Sequence, residues 1–204
     1  MVATPAQAQS GFVQETATKM VRRVGVHVNL SVREPVDPDV TKGTTLGVSF
    51  GLSPGRTNGW TYPVGLNIFS EDLHSPNGEP FAEMRTRAIT AGIGYRWVFG
   101  RLITGPSLQT GFAFNSGRIE GDGLRAFGVP NEAISVHVGN AALFRPQVEA
   151  EYMIRPKFSL RISADYVLMR PAIDVTTPFE RIAGRWSASN VHASVGIGYY
   201  PLRK

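Results

Sequence analysis

The stretch Phe158-Ser159-Leu160-Arg161-Ile162-Ser163-Ala164-Asp165-Tyr166-Val167-Leu168 decides the architecture. Apolar side chains at Phe158, Leu160, Ile162, Ala164, Tyr166 and Leu168 alternate with Ser159, Arg161, Ser163 and Asp165. Successive side chains of a strand point to opposite faces, so a period of two describes a strand with one apolar and one polar face.

The same alternation recurs along the chain. A first strand carries Val24, Val26, Val28, Leu30 and Val32 against Gly25, His27, Asn29 and Ser31. A second has Leu46, Val48, Phe50 and Leu52, a third Trp60, Tyr62, Val64, Leu66 and Ile68, and a fourth Ile89, Ala91, Ile93, Tyr95 and Trp97. The fifth, with Leu108, Phe112 and Phe114 on one face, is the least regular. The sixth places Ala142, Phe144, Val148, Ala150, Tyr152 and Ile154 against Arg145, Gln147, Glu149 and Glu151. Ile134, Val136 and Val138 keep its parity upstream, which reads as an extension of this strand past a bilayer. The quoted stretch is the seventh strand, and Val191, Ala193, Val195, Ile197 and Tyr199 against His192, Ser194, Gly196 and Gly198 form the eighth.

The connections alternate in length. Long segments near 34–43, 70–82, 115–133 and 170–188 interleave with short turns near 53–59, 98–101 and 155–157. Up-and-down barrels of outer membranes have this asymmetry, with tight periplasmic turns and longer outer loops. The expectation is therefore an all-β, eight-stranded antiparallel barrel with both termini in the periplasm. Pro63, Pro106 and Pro146 fall inside proposed strands, where a missing donor predicts bulges or frayed rims.

Composition bounds the alternatives. The chain has 204 residues, enough for one domain, with 22 glycines and 14 prolines spread along it as turns between short strands require. It contains no cysteine, which excludes a disulfide framework, thiolate metal sites and a cysteine nucleophile. Its net charge of +5 comes from scattered basic residues without a run or a basic helical face, so nucleic acid is not an expected partner. No apolar run approaches the roughly 18 residues of a spanning helix, a test that alternating strands escape. At the start, Ala6-x-Ala8 resembles the small-x-small end of a secretory signal, and residues 1–19 read either as a leader remnant or as a disordered tail before a barrel domain over 20–204.

Alternation alone leaves open a soluble lipocalin-like barrel with its apolar face inward around a ligand. Three features favour the membrane. The apolar-parity positions above carry no Asp, Glu, Lys or Arg. Aromatic residues on that face, Trp60, Tyr62, Tyr95, Trp97, Tyr152, Phe158 and Tyr199, stand beside the short turns, where they would form an interfacial girdle. The opposite face mixes small residues with charges that can pair: Arg96, Arg145, Glu149, Glu151, Arg161, Asp165 and His192. An eight-stranded barrel is just wide enough inside to be filled by side chains, so these residues are expected to plug a polar lumen as an ion network. About ten residues at roughly 3.3 Å each, tilted near 45°, span about 24 Å, close to the apolar band of such barrels.

From about residue 20 to 200 the chain resembles the OmpA/OmpX-type small outer-membrane barrels. The likeness rests on the eight alternating strands, the loop asymmetry and Val191-x-Ala193-x-Val195-x-Ile197-x-Tyr199, which looks like the family's C-terminal assembly signal. The family usually finishes on an aromatic residue, whereas here Tyr200-Pro201-Leu202-Arg203-Lys204 follows. The resemblance implies a bacterial outer-membrane location after removal of a leader, contact with outer-membrane lipid and lipopolysaccharide, and a monomer whose loops meet extracellular partners. Arg118, Glu120, Asp122 and Arg125 give the longest loop a mixed charge suited to such contacts.

Several patterns invite a chemical reading. Gly47-Val48-Ser49-Phe50-Gly51 matches a nucleophile elbow, but it lies in an alternating strand with no helical pattern after it. His192-Ala193-Ser194 resembles the His-x-Ser pair of outer-membrane lipid A deacylases, with the histidine as base for a serine nucleophile. No Asp or Glu follows His192 in sequence to orient it, and its parity points into the lumen. Glu149, Glu151 and Asp165 could divide acid and base roles, although the lumen arginines offer them ion pairs instead. His27, His74, His137 and His192 show no ligand spacing, and neither a metal site nor a cofactor is expected. The leading expectation is a non-enzymatic barrel with a structural or interaction role.

Overall fold

The computed structural model describes residues 24–35, 43–52, 58–74, 80–119 and 128–201. The expected tail over 1–19, the domain start at residue 20 and loop residues Glu120, Asp122 and Arg125 lie outside them. Eight strands close into one ring: β1 (Val24–Pro35), β2 (Gly43–Leu52), β3 (Gly59–His74), β4 (Pro80–Phe99), β5 (Leu102–Ile119), β7 (Ala141–Arg155), β8 (Phe158–Met169) and β11 (Asn190–Tyr199). Each pairs antiparallel with its neighbour in the order β1-β11-β8-β7-β5-β4-β3-β2. The ring closes between the first and last strands, from Val26 opposite Tyr199 to Pro35 opposite Asn190. Closure removes the unpaired edge that an open sheet presents.

The remaining strands lie outside the ring. β6 (Ser135–Val138), β9 (Ala172–Thr176) and β10 (Arg181–Arg185) form a three-stranded sheet in the order β10-β9-β6. The expected extension of the sixth strand is therefore corrected: Val136 and Val138 belong to β6 and pair with Val175 and Ile173 of β9, while Ile134 precedes that strand. Gly139 and Asn140 interrupt the alternation before Ala141 and free β6 from the barrel wall. The long connections are likewise shorter than expected, because β3 continues to His74, β4 begins at Pro80 and β5 continues to Ile119. Barrel strands run 10 to 20 residues, so several rise beyond a bilayer at the loop end.

Parity fixes the two faces. On β8, Ile162 is 57% exposed while Arg161 and Asp165 are each 5% exposed. Val28, Leu66, Ile93, Leu108, Val148 and Val195 are also exposed on the outer face. This overturns the soluble barrel, which needs those side chains inside. At the loop end the outward face turns polar at Glu34, Asp72, Arg87, Ser116 and Arg170, which marks the upper limit of the apolar band. The GxSxG match at 47–51 lies wholly within β2.

The three prolines are accommodated without bulges. The β3–β4 ladder skips Tyr62 and Pro63, the β4–β5 ladder skips Gly105 and Pro106, and the β7–β8 ladder skips Arg145 and Pro146, each with the register unchanged on both sides. Each proline keeps its pairing to the strand on its other side. Register shifts occur only at Leu73/His74 and Met153/Arg155 among the described residues.

Candidate functional site

The barrel interior is the candidate site, and it is layered. At the turn end, Tyr200 folds back from the last strand and packs with Ile103, Met153 and Val98. Its backbone N–H donates to the Lys157 carbonyl at 2.9 Å and its hydroxyl to Glu151 Oε1 at 2.6 Å. The His27 ring meets the Tyr200 ring edge-on, with its Nε2 3.2 Å from the Tyr200 hydroxyl and 3.6 Å from Glu151. Gly25 makes room for that ring, because a Cβ there would stand 2.5 Å from it.

Above this lies the ion network. Arg96 on β4 reaches past β5 to Glu149 on β7 at 2.7 Å, and Arg161 on β8 pairs with the same carboxylate. Glu151 stands 3.7 Å from Arg96. All four side chains are buried. Two guanidiniums and two carboxylates thus balance formally, as burial of charge demands. The next layer is neutral: Thr90 donates to Gln109 at 3.0 Å, and Gln109 donates to Gln147 at 2.6 Å. Gly111, one step along, lets β5 lie close, since a Cβ there would run into the Ile89 carbonyl.

The mid-lumen layer gathers the remaining predicted residues. Arg145 grips Asp165 with both ends of its fork, at 2.8 and 2.7 Å, and reaches across the interior to Asn67 on β3 at 3.2 Å. His192 Nδ1 lies 3.4 Å from Asp165 Oδ1. No acid follows His192 in the sequence. The acid comes from the neighbouring strand, where Asp165 is the register partner of His192. Ser194 shares the inward parity, and its hydroxyl contacts that of Ser163 at 2.5 Å.

Toward the loops the interior becomes apolar, contrary to the uniformly polar lumen expected. Phe69, Met84, Leu143, Val167 and Met169 fill it, and Val138 of β6, Val175 of β9 and Ala188 join the same cluster. Asn190 bridges to Glu71 across the ring at 3.0 Å, level with Met84 and Val167. These inward apolar residues come only one or two in succession on a strand, as with Ala82 and Met84 or Val167 and Met169, too few to set a period of their own.

On the outer face the girdle residues lie together beside the short turns. Trp60 meets Tyr95 at 5.4 Å and Tyr95 meets Trp97 at 5.5 Å between ring centroids, which leaves Tyr95 half-buried. Phe158 and Tyr199 stack at 5.1 Å, and Tyr152 is exposed on the adjoining strand. Phe112 and Phe114 form a further ring pair on this face, 5.1 Å between centroids and exposed nearer the loop end. Among the described residues no group of three or more His, Asp or Glu could hold a metal.

A closed antiparallel ring with an apolar exterior and paired charges inside is a transmembrane β-barrel. The crystal structure of outer membrane protein OprG from Pseudomonas aeruginosa superimposes with a TM-score of 0.69 at 11% identity, covering 86% of this chain and 94% of OprG. Neisserial surface protein A matches with a TM-score of 0.53 at 11% identity over 87% of this chain and 96% of its own. A major outer membrane protein of Thermus thermophilus matches with a TM-score of 0.55 at 11% identity over 86% and 98%. No family model and no curated protein sequence matches the chain. The likeness is one of fold, and the chain has the fold of the small outer-membrane β-barrel proteins.

Proposed function

We propose that this protein is a monomeric, non-enzymatic barrel of the bacterial outer membrane, with a lumen closed to solutes and an interaction role carried by its loops. The carrying observation is the buried Arg96–Glu149–Arg161 network, in which a side chain of β4 reaches past β5 to β7 and one of β8 joins it inside the ring. The Arg145–Asn67 bond and the Asn190–Glu71 bond span the ring at two other heights. Tyr200 lies over one mouth, and the apolar cluster under β6 and β9 fills the other end. The connections near 34–43, 70–82, 115–133 and 170–188 would meet lipopolysaccharide or a protein partner, the last of them carrying β9 and β10 of the three-stranded sheet. Single-channel recordings of the reconstituted protein test the closed lumen: the proposal requires no stable conductance, and a reproducible large pore contradicts it.

A second reading has one observation in its favour. Asp165 touches His192 as an orienting acid would, so a lipid-modifying enzyme using His192 and Ser194 keeps a partial geometry. Both side chains point inward, away from bilayer lipid, and Asp165 is already held by Arg145. Loss of lipid A acyl groups on incubation with the protein, abolished by His192→Ala, would establish that reading in place of the first.

A further inference from the structure

The two ends of the barrel differ in charge. Among the described residues, every exposed carboxylate lies at the loop end: Glu34, Asp72, Glu132 and Glu180. At the turn end the exposed charges are Arg101, Arg155 and Lys157, all basic. The three are neighbours, because the β4–β5 and β7–β8 turns adjoin: the Met153 N–H donates to the Arg101 carbonyl at 2.9 Å. Arg155 pairs in register with Phe158. None of the three forms an ion pair with a described residue. Directly above them on the outer face stand Tyr152, Phe158 and Tyr199, at the level where rings settle among lipid headgroups. No Asp or Glu occurs within 98–102 or 155–158.

We infer that the β4–β5 and β7–β8 turns form a binding site for anionic phospholipid headgroups of the leaflet that surrounds the turn end. Cations held at headgroup depth attract anionic lipid from within about a Debye length, and adjacent aromatic rings fix the depth at which they act. The site rests on the membrane-spanning fold alone and is independent of whether the lumen conducts. It is also separate from any lipopolysaccharide contact, which belongs to the opposite end.

The test uses the full chain folded in neutral detergent with an equimolar mixture of phosphatidylglycerol and phosphatidylcholine, and native mass spectrometry to read the lipid retained. The wild-type protein should retain phosphatidylglycerol over phosphatidylcholine by on the order of fivefold or more, and the combined variant R101Q/R155Q/K157Q should retain the two equally. Equal retention by wild type, or enrichment that survives in the triple variant, overturns the inference. The charge-preserving R101K/R155K/K157R should keep the enrichment, which guards against a folding defect, and its loss there would count against a charge-based site. A loop-end variant, R170Q/R185Q, should leave enrichment intact, and loss there would move the site to the other end. Raising salt to about 1 M should suppress the wild-type preference, whereas displacement by inorganic phosphate alone would reassign the patch to a free anion and refute the lipid assignment.

Discussion

Tyr200, one residue beyond the last barrel strand, turns back over the mouth and donates its hydroxyl to Glu151 at 2.6 Å. The contact ties the chain's end to β7 through the lumen rather than through the wall. Tyr200→Phe removes a donor from a buried carboxylate and should cost about 1–3 kcal/mol. Tyr200→Ala should cost more, because the ring also packs against Ile103 and Met153. Urea unfolding in lipid vesicles, followed by tryptophan fluorescence, measures both, and unchanged midpoints would remove Tyr200 from the closure.

Glu149 serves two arginines, Arg96 and Arg161. Glu149→Ala leaves both guanidiniums facing each other in the interior, and removing one partner from such a buried network costs about 3–5 kcal/mol. Arg161→Ala combined with Glu149→Ala should be less damaging than the two single losses added together, because the second change removes one of the charges stranded by the first. Strict additivity of the unfolding energies would mean that the groups do not interact.

On the outer face an arginine should be penalised by depth. Ile162→Arg, in the middle of the apolar band, should destabilise by about 2–4 kcal/mol, whereas Leu168→Arg near the loop-end limit should cost about 0–1 kcal/mol. Equilibrium unfolding from vesicles reads the difference, and equal costs at the two depths would not fit a bilayer around this band.

In the loop sheet, Arg181 hydrogen-bonds Asp174 across the β9–β10 pair. That bond holds the Asp174 carboxyl below the usual aspartate range, with the nearby positive charge adding to it. A depressed folded value means that the contact stabilises the hairpin above the ordinary aspartate titration and that this contribution disappears as pH falls through the lowered value. Carbon-13 NMR of the Asp174 carboxyl should give a midpoint below that of a free aspartate, returning to the ordinary value in Arg181→Gln. The pair is exposed, so its effect on global stability should be small.

The barrel was legible because period-two alternation and loop asymmetry both survive without tertiary information. Ile162 against Arg161 already separates the outside from the inside. Contacts that join residues far apart in sequence were not legible. Asp165 beside His192 depends on the β8–β11 register, and Asn67 beside Arg145 depends on the curvature that brings β3 opposite β7. The apolar filling at the loop end is not legible because Phe69, Met84, Leu143 and Met169 occupy inward positions on four different strands, with at most one or two such residues in succession on each. Strands β9 and β10 were hidden within a loop, since five residues each are too few to establish a period. The prolines misled in the other direction: each forfeits pairing on one side only, so no bulge is needed.

The central assertion is that the apolar face points outward into hydrocarbon, and collision rates measure it directly. Nitroxide labels placed singly at Ile93 and Ile162 in reconstituted vesicles should relax rapidly with oxygen dissolved in the bilayer and remain shielded from a water-soluble nickel complex. Labels that collide with the nickel complex, or that are shielded from both reagents as in a packed core, would contradict it.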